Sequence, residues 1–199
     1  MEEKELNPIA DVVYNITNEE EDIAFRAFQK KYVYKKVIVQ TVIFAILCGV
    51  FVYQGIKNPD YTLAYILAGV CLALIFFIWY NPYKIRKSLL IALKELEDDK
   101  YEFKLYDEYF SIKTILPVEE VEASSDEEEP VEDIPPRIVR FDSEPVEVVD
   151  HPSQFVIIMK KQTIYTIPKR CMNDADSAQV STFFKERLGE DYILTESNI

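Results

Sequence analysis

The sequence predicts an α+β membrane protein: a transmembrane helical hairpin inserted near the N-terminus of a small antiparallel-sheet domain that closes on a C-terminal helix. Three observations predict it. Residues 37–56 and 61–80 are apolar runs without a charged side chain, and each reaches the roughly 20 residues that span a hydrocarbon core at about 1.5 Å per residue. Short segments of alternating apolar and polar residues follow, which is the period of half-buried strands. Near the end, Val180, Phe183, Phe184 and Leu188 share one face of a helical pattern with Gly189 behind it, the glycine being the usual helix stop. The averages conceal this division, because a mean hydropathy of −0.07 and a net charge of −13 describe an acidic soluble chain.

Residues 1–36 are expected to form a cytoplasmic strand and helix. The stretch 11–17 (DVVYNIT) is β-rich; Asn18 suits a helix cap, and Glu19, Glu20, Glu21 and Asp22 place acids where the helix dipole favours them. Ile23, Phe25, Phe28 and Tyr32 then carry the helix into the first run. Between the runs stand only Lys57, Asn58, Pro59 and Asp60; proline cannot continue a helix and the turn is too short for a folded unit, so the second span returns beside the first. Arg26, Lys30, Lys31, Lys35 and Lys36 precede the hairpin and Lys84, Arg86 and Lys87 follow it. The positive-inside rule therefore puts both termini in the cytoplasm of a multi-pass protein of the cell membrane. The charged residues ahead of the first span exceed an ordinary signal-peptide n-region, so that span is expected to act as an uncleaved anchor. Trp79, Tyr80, Tyr83, Tyr53 and Tyr61 fall at the two headgroup levels and read as interfacial anchors. Small residues four apart, Ala45 with Gly49, Ala64 with Ala68 and Gly69 with Ala73, permit close helix approach, within the hairpin or between copies.

In residues 81–114 an amphipathic helix comes first, with Ile85, Leu89, Leu93 and Leu96 on one stripe. A β-hairpin, 101–106 (YEFKLY) and 109–114 (YFSIKT), follows it. Residues 115–136 read as a disordered insertion: nine acids and no base lie between 119 and 133, and self-repulsion with so little to bury does not offset the entropy of ordering. In 137–199 a strand at 137–141 is expected, then a hairpin of 155–160 and 163–167 turning at Lys161-Gln162, so that the sheet is an antiparallel meander. Asp174 or Asp176 is expected to cap the last helix, with Gln179 completing a capping box.

The chemistry of catalysis is missing from the pattern. The single histidine, His151, precedes Pro152 and reads as an exposed turn residue, so no pair of imidazoles exists for a metal cage or a relay. Four glycines, three of them in or beside the spans, leave no phosphate-cradling loop. The acidic run cannot hold two carboxyls at a fixed separation and has no glycine turn for calcium. No enzyme, cofactor or metal is expected, and the net charge disfavours nucleic acid. Cys48, Cys71 and Cys171 form no close pair and suit a reducing compartment. The spans hold no ionisable group at mid-membrane, which argues against a channel or transporter.

The order of parts carries a resemblance. A strand and helix (VVYNIT, then EEEDIAFRAF), two apolar spans, and a final strand, turn, strand, Ile167-Pro168-Lys169-Arg170 and a helix with Phe183-Phe184 resemble the YcxB-like family. The resemblance implies a bacterial membrane protein with a pleckstrin-homology-like (PH-like) cytoplasmic domain and no assigned reaction. A membrane-tethered interaction module is the function expected; a protective or immunity protein that meets a toxin in the bilayer is the alternative, and a lipid sensor the third. The lipid bilayer is the first partner, with a protein partner or self-association through the spans beside it. Lys160, Lys161, Lys169 and Arg170, on and just after the final hairpin, are the residues expected to contact lipid phosphate or protein. Their replacement by alanine is expected to leave the fold intact.

Overall fold

The structure, a computed structural model, describes residues 7–115 and 134–195. The chain divides into two compact units: Phe25–Ile91, and a second one built from the segments on either side of it.

Helix α1 (Asn18–Phe28) passes through one π-helical turn (Gln29–Val33) into α2 (Tyr34–Lys57), and α3 (Thr62–Leu93) ends in a short 3-10 turn. Both helical runs are long and apolar enough to cross a membrane. Thr17, not Asn18, caps α1. The Thr17 Oγ1 accepts from the Glu20 amide at 3.3 Å while the Glu20 carboxylate accepts from the Thr17 amide at 2.9 Å, a reciprocal capping box. The second span and the expected amphipathic helix are one helix, α3, with Pro82 inside it. Proline removes one helical hydrogen bond, and beside it the buried Gln29 side chain donates to the Pro82 carbonyl at 2.9 Å.

Within the helical unit the small residues divide between two uses. Ala64, Ala68 and Cys71 are buried, and the Cys48 thiol lies 3.7 Å from the Ala68 carbonyl. A Cβ on Gly55 would stand 2.8 Å from the Tyr65 ring, whereas one on Gly49 or Gly69 would meet nothing within 4 Å. A side chain at position 55 would therefore have to displace the half-exposed Tyr65 ring. Trp79 does more than anchor: its indole N–H donates to Thr41 at 3.0 Å and its ring stacks on Tyr34.

The other unit holds two four-stranded sheets. The first runs β1 (Ala10–Tyr14), β2 (Lys100–Leu105), β3 (Tyr109–Ile115), β4 (Arg137–Arg140), all antiparallel. The second has the order β7-β6-β5-β8, from β5 (Val146–His151), β6 (Gln154–Met159), β7 (Thr163–Pro168) and β8 (Tyr192–Leu194). Its β5–β8 pair is parallel, so the antiparallel meander expected from sequence is corrected to a mixed sheet. The strands β5 and β8 were not expected. Prolines bound β5, and Glu147, Asp150 and His151 break its apolar run; β8 has three residues, paired with a strand some 45 positions earlier.

Helix α4 (Asp174–Leu188) closes the core. Its N-cap is Asn173, whose side chain accepts from the Asp176 amide at 2.7 Å, in place of the aspartates expected. Gly189, at φ 56°, ends it. Phe184 is fully buried, 6.0 Å from the Phe155 ring of β6 and 6.3 Å from Phe141 at the end of β4, so one side chain bridges both sheets. Phe183 is only half-buried, against Phe141. The insertion expected to be disordered lies, from 116 to 133, outside the described residues.

Candidate functional site

The four basic residues singled out by sequence do not form one patch. Lys160 and Lys161 make the turn between β6 and β7, while Lys169 and Arg170 follow the other end of β7. Five residue steps of a strand separate the two ends, about 17 Å. Lys160 and Lys161 have φ values of 50° and 57°, and the Gln162 amide donates to the Met159 carbonyl at 3.0 Å: a type I′ turn, whose left-handed positions favour Asn and Gly. A left-handed non-glycine residue costs roughly 1–2 kcal/mol. Lys161→Gly is thus expected to raise stability by about 1 kcal/mol and Lys161→Val to lower it. Thermal melting of the detergent-solubilised protein checks the pair; a destabilising glycine would contradict the turn geometry.

Lys169 and Arg170 both pair with carboxylates of the fold, Lys169 partly buried and Arg170 at the surface. The Lys169 ammonium pairs with Asp150 Oδ1 at 2.5 Å and lies 4.5 Å from the centre of the Phe155 ring. Asp150 is 1% exposed, and its second oxygen accepts from Ser181 of α4 at 2.8 Å and from the Tyr192 phenol of β8. One carboxylate therefore joins β5, the turn after β7, α4 and β8. The Arg170 guanidinium forks onto the Glu20 carboxylate at 2.7 and 3.2 Å and donates to the Asn15 carbonyl at 2.8 Å, so it ties the end of β7 to the start of α1. Burial alone would push the Glu20 carboxyl up, but the hydrogen bonds from Arg170 and the Thr17 amide hold it below the ordinary range. Both side chains thus make contacts within the fold, and alanine at 169, whose partner Asp150 is buried, is expected to carry a folding cost that the sequence alone does not show. The strand expected to include Asn15-Ile16-Thr17 stops at Tyr14, which frees Asn15 and Thr17 for these bonds.

His151 is also not an exposed turn residue. It ends β5 at 5% exposure; Nδ1 meets the Ser153 hydroxyl at 2.8 Å, and Nε2 is buried without a partner. Burial, then the nearby Lys169 charge, lowers its pKa below 6.5. The unfolded chain therefore binds this proton more readily, and the stability His151 contributes, present above pH 6.5, is lost as pH falls through the depressed folded value. Between pH 7.5 and 5.5 the melting temperature of the parent is expected to fall more steeply than that of His151→Gln. Parallel curves would assign the histidine no such role.

A cavity of about 320 Å³ lies in the same unit. Its origin is a mismatch of strand lengths: β4 pairs with residues 109–112 of β3, and β3 runs on to Ile115. Beyond the start of β4 the cross-strand row Tyr14, Tyr101 and Thr114 lines the cavity together with Ile134 and Pro135, the residues that lead into β4. Tyr165 and Thr166 of β7 line the cavity from the second sheet, Glu21 from α1 and Arg137 from the start of β4. Among the described residues, Glu21 and Arg137 are its only charged lining residues. The Tyr14 and Tyr101 rings stand 5.9 Å apart, and the Arg137 guanidinium lies 5.8 Å from the centre of the Tyr165 ring. Burial raises the phenol of Tyr14 far above its ordinary value, with smaller contributions from Tyr101, Glu21 and Tyr165. Sequence reasoning missed this site because its residues are scattered from 14 to 166 and each reads singly as strand or helix. No family model, no curated protein and no solved structure matches the chain.

Proposed function

We propose that this is a multi-pass protein of the cell membrane that holds a PH-like interaction domain, of the YcxB-like kind, at the cytoplasmic face. The observation that carries the reading is the pair of apolar helices α2 and α3, whose side chains Ile38, Val42, Ile46, Leu63, Ile66, Val70, Phe76 and Phe77 are all at least half exposed or close to it. Such a surface is far larger than the apolar patches soluble proteins present to water, and a bilayer is the solvent that suits it. Two sheets followed by a helix across the core, with the hairpin inserted after the first strand, support the PH-like assignment. The basic residues on the terminal side of both helices support cytoplasmic termini. With Cys48, Cys71 and Cys171 replaced, a cysteine at Asn58 is expected to react with a membrane-impermeant thiol reagent in intact cells, and one at exposed Glu186 only after lysis. Labelling at 186 without lysis overturns the topology.

A second reading, a protective protein that meets a toxin or another copy within the bilayer, is favoured by Ala45, Gly49, Gly69 and Ala73, which are exposed. Gly49→Ile with Gly69→Ile should preserve the hairpin, because both Cβ positions are open. Loss of activity in that variant would favour the second reading over a cytoplasmic module.

A further inference from the structure

We propose that the tyrosine-lined cavity binds a small zwitterion, its ammonium group against Glu21 and the tyrosine faces and its acidic group against Arg137. The proposal concerns the sheet-bearing unit alone and stands whether or not the membrane reading does. The cavity volume, about 320 Å³, falls at the small end of the roughly 300–1,000 Å³ found for ligand sites. Its wall is mainly apolar and aromatic with few polar groups, the usual composition of such sites.

The charges give the ligand class. Glu21, half-buried, and Arg137, exposed, both line the cavity, and among the described residues no ion pair joins them. Held apart, they present opposite charges to a single occupant. A simple cation would meet Glu21 but be repelled by Arg137, and a simple anion the reverse; a molecule carrying both signs satisfies both. Tyrosine faces attract ammonium groups, quaternary ones above all, and the Arg137–Tyr165 contact shows one ring of this cavity already facing a cation. Burial, and then the charge of Glu20, pushes the Glu21 carboxyl up; Tyr14, Tyr101, Tyr165 and Arg137 are the other ionisable groups around the cavity. A bound ammonium would reverse that shift.

The test is equilibrium dialysis of full-length protein in maltoside micelles against labelled phosphocholine, with choline and inorganic phosphate as single-charge controls. Saturable phosphocholine binding at least tenfold tighter than either control is expected. Glu21→Gln and Arg137→Met should each weaken it tenfold or more while leaving the melting temperature unchanged. Phosphatidylcholine nanodiscs that compete, where phosphatidylglycerol nanodiscs do not, would identify a lipid headgroup as the source; failure of both to compete would identify a free solute. No saturable binding, or binding that neither substitution weakens in a folded variant, overturns the proposal.

Discussion

Phe184→Ala is expected to destabilise the sheet-bearing unit by about 3–5 kcal/mol, the usual cost of removing a buried aromatic ring. The side chain is wholly buried between Phe155 of one sheet and Phe141 of the other, with Val180 one turn away and equally buried. The cavity left behind would be lined by rigid rings and strand backbone, which collapse poorly. A small domain has only about 5–15 kcal/mol in total, so limited proteolysis should reach this unit in the variant under conditions where the parent resists. Phe183→Ala should do less, because that ring is half-buried and touches Phe141 and Phe184 alone among the aromatics. Equal protease resistance of parent and Phe184→Ala would mean that α4 is not a core element.

Lys169→Ala is expected to cost about 3 kcal/mol, the lower part of the range for breaking a buried ion pair. Asp150 is 1% exposed but the Lys169 side chain is 21% exposed, so water screens part of the interaction. The loss comes chiefly from leaving the Asp150 carboxylate buried with only Ser181 and Tyr192 as donors. Lys169→Met with Asp150→Asn should restore most of it, because two neutral groups need no mutual compensation. A double-mutant cycle in urea gives the coupling, and additive costs would show that the pair does not interact. The same variant bears on recognition: any loss of lipid or partner binding by Lys169→Ala has to be separated from loss of fold.

Local pattern was enough for the elements whose residues decide their own structure. The two apolar helices follow from charge-free runs of sufficient length, the hairpins β2–β3 and β6–β7 from alternation around short polar turns, and the end of α4 from Gly189. Each of these depends on neighbours in sequence, which is where periodicity and propensity act. The errors of one to three residues at the caps have the same scale. Thr17 and Asn173 won over Asn18 and the aspartates through hydrogen bonds made slightly earlier in the chain.

Tertiary structure alone decided what depends on residues far apart. In strand β5 the buried Asp150 finds partners in Lys169 just after β7, Ser181 of α4 and Tyr192 of β8, so a segment that reads as polar becomes a core strand. Strand β8 exists only by parallel pairing with it. Lys169 and Arg170 looked like surface cations because the sequence shows a charge but not its counter-charge, and Asp150 and Glu20 stand 19 and 150 positions away. The cavity is the extreme case: it lies beyond the start of β4, where β3 runs on, and Glu21, Tyr14, Tyr101, Arg137 and Tyr165 come together only when both sheets have formed. Burial, pairing and empty volume are properties of the packed chain, and a linear pattern carries no term for them.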